Sequence, residues 1–142
     1  MKQVKDNYKI LFIDDSKTEV KYLKLLFDIS ELPAEPTFIN SAIEALEFLD
    51  GLDDLSFPDI IMVDINMPLM NGFEFSEKYY AKHSSGHPNT MLYIYSTSIN
   101  SADVRKAESL DGVKGFISKP FDENSFNNIL LPNLEIQIGT KN

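Results

Sequence analysis

The chain has 142 residues, of which 43% are hydrophobic and 25% charged, so we expect one globular domain with any separate output module on another polypeptide. Asp and Glu number 22 against 13 Lys and Arg, and the resulting formal charge of −9 argues against a nucleic-acid or anionic-membrane surface. Cysteine is absent and only two histidines occur, which excludes disulfides, thiolate chemistry and histidine-rich metal sites.

Short apolar runs, typical of buried strands, alternate along the chain with segments whose apolar residues recur at helical spacing. Ser16 is a candidate N-cap for the first helix, and Ser41 with Glu44 is a capping-box pattern for the second. In chain order we predict a strand at 8–13, a helix from 17 to about 28, a strand at 37–39, a helix at 42–49, a strand at 60–63, a helix at 72–81, a strand at 91–95, a helix capped by Asn100 or Ser101 and running through 110, a strand at 115–118, and a helix from 122 to about 131 that Pro132 ends.

The remaining segments are predicted to be connections. The acidic loop with Asp53 and Asp54 is interpreted as solvated, and so is the polar turn that contains His83 and His87. The core of the domain is placed at 8–131, and the tail at 132–142 is left open between an extra strand, a packed extension and a disordered end.

Five alternations of strand and helix predict an α/β fold, doubly wound, with a parallel sheet and helices on both faces. In such sheets the site lies at the carboxyl ends of the strands, so the polar residues that follow the apolar runs become the candidates. Each one alone is more often a cap or turn residue. Four of the five strands end in such a group: Asp14 with Asp15, Asp64, Ser96 and Lys119.

Clustered carboxylates repel one another, and a bound cation relieves the repulsion. Oxygen-only ligands suit Mg²⁺, which takes one or two carboxylates and binds phosphate oxygens in its other positions. A nearby lysine supplies a positive charge to the same phosphate, and a carboxylate can itself accept a phosphoryl group as an aspartyl-phosphate. The candidate residues therefore predict phosphoryl-transfer chemistry that depends on positioning and charge neutralisation.

Together these residues resemble the receiver domains of two-component response regulators, the family of the bacterial chemotaxis receiver. The resemblance spans about 8 to 131 and implies a flavodoxin-like sheet of five strands in the order 2-1-3-4-5. The matching pieces are Asp14-Asp15, Asp64-Ile65-Asn66-Met67-Pro68 with Asn71-Gly72, Ser96, and Lys119-Pro120 after Gly115-Phe116-Ile117-Ser118.

The resemblance also implies a role for each matching residue. Asp64 would be the phosphoacceptor, Asp15 a direct ligand of Mg²⁺, and Asp14 would act mostly through metal-bound water. Asn66 would offer its backbone carbonyl to the metal and its side chain to the phosphoryl group or the attacking water. Lys119 would pair with the phosphate, and the bond to Pro120 is commonly cis in this family.

The resemblance implies a switch pair as well, a Ser or Thr after the fourth strand and an aromatic residue on the fifth. Counting back from Val104 favours Ser96 as the hydroxyl, whereas counting back from Lys119 favours Thr97. We choose Ser96 because the connection from Ser109 to Gly115 is one residue longer than usual. Ser98 would then lie where side chains tune dephosphorylation, and Phe116 matches the aromatic position, although by itself it would be a core residue.

The leading hypothesis is a stand-alone, cytoplasmic phosphoacceptor, since no apolar run has the length of a signal peptide or membrane span. It would take a phosphoryl group from a histidine kinase or phosphotransfer protein and change its affinity for a protein target, as a monomer or a phosphorylation-dependent dimer. It would be no enzyme beyond its own phosphorylation and slow hydrolysis. The alternatives are a phosphorylation-independent interaction module and a haloacid-dehalogenase-type phosphohydrolase, which would need a second Asp where Asn66 lies.

Overall fold

Five apolar runs form one parallel sheet in the computed structural model, which describes residues 7–97 and 100–134. The sheet order is β2-β1-β3-β4-β5, so the predicted fold class and strand order are both confirmed. The predicted β2 was too short because Pro36 was taken as a break, yet β2 is an edge strand, where a missing N–H is tolerated. The strands are β1 (Tyr8–Ile13), β2 (Ala34–Ile39), β3 (Ile60–Asp64), β4 (Met91–Ser96) and β5 (Val113–Ser118).

The helices begin where polar side chains cap them. Ser16 accepts a hydrogen bond from the backbone N–H of Glu19, and Ser41 accepts one from the backbone N–H of Glu44, so both predicted N-caps are confirmed. The helices are α1 (Lys17–Ile29), α2 (Ala42–Asp50), α3 (Gly72–His83), α4 (Ser101–Ser109) and α5 (Glu123–Ser125), which continues through a π-helical turn at Phe126–Leu130 and helical residues 131–134.

Side chains alternate across the sheet and form a core on each face. On one face Leu11, Val63 and Ile94 pack with buried residues of α2, α3 and α4. On the other face Phe12 and Tyr95 pack with residues of α1 and of the last helix. No helix within 7–97 and 100–134 combines the length and hydrophobicity that crossing a bilayer requires.

Pro132 does not end the last helix, which is a correction to the prediction. The preceding π-helical turn is closed by a bond from the Leu131 N–H to the Phe126 carbonyl, and the chain stays helical through Leu134. Leu134 is buried in the core between the sheet and this helix, and that burial offsets the hydrogen bond that Pro132 cannot make. The rest of the tail, 135–142, lies outside the described residues.

The two histidines are half-buried, so the prediction of a solvated turn was wrong. His87 stacks on the buried Phe57 ring with 3.4 Å between the ring centroids. His83 Nε2 lies 2.9 Å from Oδ1 of Asp50. Stacking on Phe57 and on Tyr79 partly shields His87 and His83 from water, and residue type alone did not indicate it.

Candidate functional site

Three carboxylates meet at the carboxyl edge of the sheet. Asp14 and Asp15 follow β1, Asp64 ends the neighbouring strand β3, and one oxygen of each lies within 4.8 Å of the others. Asp14 is fully buried, Asp64 is 8% exposed and Asp15 is exposed. The site is therefore an acidic cluster in which two carboxylates are buried and the third faces solvent.

Both oxygens of Asp14 already have donors within the protein. Oδ1 accepts a hydrogen bond from the backbone N–H of Ser16 at 2.9 Å. Oδ2 accepts one from the Tyr95 hydroxyl at 2.8 Å and one from Lys119 Nζ at 2.8 Å. Three donors hold the orientation of this buried carboxylate, as its burial requires.

Lys119 supplies the positive charge of the site. It follows β5, its side chain is 8% exposed, and its Nζ lies 3.5 Å from Oδ1 of Asp64 besides its shorter contact with Asp14. Burial would lower the pKa of Lys119, but the hydrogen bond to Asp14 and the charge of Asp64 outweigh it and raise the pKa. The amine therefore stays protonated between the two carboxylates.

Asp64 is the carboxylate whose proton affinity changes most. Burial raises the pKa of Asp64 to about 6, with the positive charge of Lys119 acting against the rise and the negative charge of Asp14 adding to it. Ionising Asp64 therefore costs more in the folded protein than it does in water. A cation beside it would remove that cost.

The donor set suits a hard divalent cation. All three candidate ligands are carboxylates, and within the described residues they form the cluster of acidic, histidine or cysteine groups close enough to share an ion. Exposed Asp15 leaves room for waters and for oxygens of a second molecule, as Mg²⁺ requires. Beside it opens a groove of about 610 Å³, lined by Asp14, Asp15, residues of α1 and Phe38.

Comparison with known proteins decides the family. The model of the family "Response regulator receiver domain" matches residues 10–131. The chain belongs to this family. It is 29% identical over 118 residues to the chemotaxis protein CheY of Halobacterium salinarum, covering 82% of this chain and 88% of that protein.

Two further similarities place this receiver domain among larger and smaller relatives. It is 30% identical over 117 residues to a protein-glutamate methylesterase/protein-glutamine glutaminase of Colwellia psychrerythraea, matching 82% of this chain but spanning only 28% of that enzyme. The crystal structure of a two-component response regulator from Cytophaga hutchinsonii superimposes with a TM-score of 0.81 at 27% identity, covering 92% of this chain and 98% of that one.

The switch residues suggested by the sequence lie on β4 and β5. Ser96 is the last residue of β4 and is buried, whereas Thr97 is exposed. The Ser96 carbonyl accepts a hydrogen bond from the backbone N–H of Lys119 at 3.0 Å. Phe116 is half-buried against the core that contains α4, and Ser98 lies outside the described residues.

The pairing of β4 with β5 shows why counting back from Val104 and from Lys119 gives hydroxyl positions that differ by one residue. Leu92 pairs with Val113 but Tyr93 pairs with Gly115, so β5 contains one extra residue, Lys114. The extra residue lies between Ser109 and Lys119. Counting back from Lys119 without it shifts the register by one position.

Two other matching positions take their places at the same edge. Asn66 lies two residues after Asp64 and is exposed. The peptide bond between Lys119 and Pro120 is cis, as the resemblance implied.

Two side chains at this receiver's site escaped the sequence reasoning. Tyr95 was grouped with the apolar residues of β4, yet its hydroxyl reaches Asp14. Glu19 in the first turn of α1 has a buried Oε1 with no hydrogen-bond partner among the described residues. Burial raises the pKa of Glu19, Lys119 lowers it and Asp14 raises it, so this acid belongs to the electrostatic surroundings of the cluster.

Gly72 fixes the loop after Asp64 by close approach. A Cβ at Gly72 would overlap the Asp64 carbonyl oxygen, and the Gly72 N–H donates a hydrogen bond to the Ile65 carbonyl at 2.9 Å. Asn71 caps α3 here through a reciprocal capping box with Glu74. A side chain at Gly72 would therefore push α3 away from the phosphoacceptor candidate.

Gly72→Ala is expected to lower the free energy of unfolding by about 2 kcal/mol, because backbone rather than a flexible side chain must move. Gly51→Ala is the matched control, since its Cβ would meet atoms no nearer than 3.8 Å. Urea denaturation of both variants checks the prediction. Equal stability of the two would show that the contact at Gly72 is relieved without cost.

Proposed function

We propose that this receiver domain is a phosphoacceptor, with Asp64 taking a phosphoryl group from a histidine kinase or phosphotransfer protein. The observation that carries the proposal is the meeting of three carboxylates with one buried lysine at the carboxyl edge of the sheet. Membership of the receiver family supports it. Buried carboxylates that repel one another weaken the fold, and such groups cluster at functional sites.

Asp14, Asp15, Asp64 and the backbone carbonyl of Asn66 would hold Mg²⁺. Asp15 and Asp64 would be the direct carboxylate ligands. Asp14 would act through metal-bound water, which agrees with its oxygens already accepting bonds from Ser16, Tyr95 and Lys119. When bound, Mg²⁺ supplies positive charge that neutralises the phosphoryl oxygens in transfer.

In the transfer step an ionised Asp64 oxygen attacks the phosphorus of a phosphohistidine. The new oxygen–phosphorus bond forms as the nitrogen–phosphorus bond breaks, and the departing imidazole nitrogen keeps the electron pair of that bond. Lys119 stays protonated and pairs with a phosphoryl oxygen as charge gathers there. The product is an aspartyl-phosphate, and Asn66 would face the phosphoryl group or the water that hydrolyses it.

The signal would leave through Ser96 and Phe116. Ser96 would move toward the phosphoryl group and donate a hydrogen bond to it from its hydroxyl. Phe116 would then turn inward to fill the space that Ser96 vacates. The face of α4, β5 and the last helix would then change its affinity for a target. We propose a protein target, because the formal charge of −9 disfavours a nucleic acid.

Incubation with Mg²⁺ and a small phosphodonor, followed by intact-mass measurement, tests this function. Wild-type protein is expected to gain one phosphoryl group, and a chelator or Asp64→Asn is expected to prevent the gain. Asp54→Asn is the control, since the Asp54 side chain is 94% exposed and lies outside the cluster. Absence of the adduct on wild-type protein would favour a phosphorylation-independent interaction module instead.

A further inference from the structure

Tyr95 is a buried polar side chain for which the proposed chemistry has no use. It has no exposed surface, its ring packs edge-on to Phe12, and its hydroxyl points at the acidic cluster. In the sheet it pairs with Asp64, and it directly precedes Ser96. Its position therefore joins the phosphoacceptor strand to the strand that carries the switch hydroxyl.

The Tyr95 hydroxyl and the Lys119 amine bond the same oxygen of Asp14. Both distances to Oδ2 are 2.8 Å. Burial and the negative charge of Asp14 raise the pKa of Tyr95 well above its ordinary value, so the hydroxyl keeps its proton and acts as the donor. Asp14 is thus held by one hydroxyl and one ammonium at a single atom.

The aromatic ring of Tyr95 also contacts Lys119. Lys119 Nζ lies 4.7 Å from the centre of the ring, within the range of a cation–π contact. The ammonium is consequently bounded by the ring, by Asp14 and by Asp64. Two of these three contacts depend on Tyr95. One is made by the ring itself, and the other is made by Asp14, which the Tyr95 hydroxyl orients.

We propose that Tyr95 is a positioning residue, whose hydroxyl orients Asp14 and whose ring holds the Lys119 ammonium within reach of the acceptor oxygen of Asp64. Its consequence for phosphoryl transfer rests on the proposed function. A core aromatic without this role would fill the same volume as phenylalanine. The hydroxyl is therefore the atom that distinguishes positioning from packing.

Tyr95→Phe keeps the ring and removes the hydroxyl alone. Because hydrogen bonds to charged groups are stronger than neutral ones, we expect the rate of transfer from a small phosphodonor at saturating Mg²⁺ to fall about tenfold. Tyr95→Leu also removes the ring and is expected to lower the rate further. Thermal unfolding of each variant separates loss of positioning from loss of folding.

Tyr93→Phe is the matched control. Tyr93 lies two residues earlier on the same strand and in the same core, and its hydroxyl contacts Met91 and Asn133 rather than an acid. The control removes one buried tyrosine hydroxyl without touching the cluster. Its transfer rate is expected to match that of wild-type protein.

A second readout uses neither Mg²⁺ nor phosphorylation. A buried, hydrogen-bonded ammonium gives a protected ¹H–¹⁵N signal in NMR, and Lys119→Met identifies that signal by its loss. Tyr95→Phe is expected to shift or broaden the Lys119 signal, whereas Tyr93→Phe leaves it unchanged. If wild-type protein accepted no phosphoryl group, the proposed function would fail while this comparison still decided the positioning role.

The proposal is overturned if Tyr95→Phe matches Tyr93→Phe in the Lys119 ammonium signal. It is equally overturned if the folded Tyr95→Phe protein transfers at the wild-type rate, because the hydroxyl would then be a buried group with no effect on the chemistry. A lower rate together with a changed ammonium signal in Tyr95→Phe alone supports it.

Discussion

Lys119→Met is expected to lower the free energy of unfolding by about 3 kcal/mol when divalent cations are chelated, because a buried ion pair loses one partner. Asp14 is fully buried and would keep only the Ser16 and Tyr95 donors, while Asp64 would lose its nearest positive charge. Methionine retains most of the apolar stem, so the loss reports the charge. Urea denaturation with a chelator present measures it.

The same variant is expected to transfer a phosphoryl group at least about 100-fold more slowly, since one preorganised charge at the reacting oxygens is removed. Lys82→Met is the control for losing a lysine. The distance between Lys82 and Asp50 is as short, 2.7 Å, but the Lys82 side chain is 59% exposed. We therefore expect Lys82→Met to change the free energy of unfolding by no more than about 0.5 kcal/mol. Equal effects of the two substitutions would contradict the role given to Lys119.

Asp64→Asn is expected to stabilise the protein at neutral pH without Mg²⁺, by up to about 3 kcal/mol for a pKa raised from 3.8 to about 6. The folded protein binds the proton of the Asp64 carboxyl more tightly than the unfolded chain does. The stability that this proton contributes is therefore present below pH 4 and is lost as the pH rises through 6. Asn has no such proton to lose. The advantage of the variant should therefore grow between pH 4 and 6 and level off above.

Urea denaturation across this pH range, with chelator present, tests the Asp64 prediction. Asp54→Asn serves as the control because the Asp54 side chain is solvated and its stability profile should follow wild type. Saturating Mg²⁺ should stabilise wild-type protein more than Asp64→Asn. A variant that is less stable than wild type at neutral pH would show that Asp64 is satisfied by Lys119 alone.

Much of the fold and the candidate cluster follows from local sequence. Apolar runs such as 60–63, each followed by a polar group, were sufficient to predict parallel strands, and parallel strands bring their carboxyl ends to one edge. This placed Asp14, Asp15, Asp64 and Lys119 together before any distance was known. The order of the strands came from the family resemblance, because periodicity does not specify which strands are neighbours.

Other features depend on tertiary contacts that local patterns do not contain. The sequence pattern places Tyr95 in a buried strand whether or not its hydroxyl has a hydrogen-bond partner. The hydrogen bond to Asp14 joins residues that are 81 positions apart. The helix continues past Pro132 because Leu134 is buried. The sequence indicates one extra residue between Ser109 and Gly115, but only the pairing of β4 with β5 locates it at Lys114. The Asn71 capping box, by contrast, was present in the sequence as Asn followed three residues later by Glu74.

The acid-rich composition has two different physical meanings in this molecule. Most acids are solvated, and their excess sets the formal charge of −9. Asp14 and Asp64 are buried beside each other, and burial, together with the negative charge of Asp14, raises the pKa of Asp64. A bound cation would offset the cost of ionising Asp64, because it is attracted to the ionised carboxylates.

The most direct measurement is the position of the phosphoryl group in the chain. Wild-type protein would be incubated with Mg²⁺ and a small phosphodonor, reduced with borohydride to convert an acyl phosphate on aspartate into homoserine, and digested for peptide mass spectrometry. We predict homoserine at position 64 and nowhere else, with none when the cation is chelated. Homoserine at Asp14 or Asp15, or an unmodified position 64 in a protein that has gained the group, would contradict the assignment of Asp64 as phosphoacceptor.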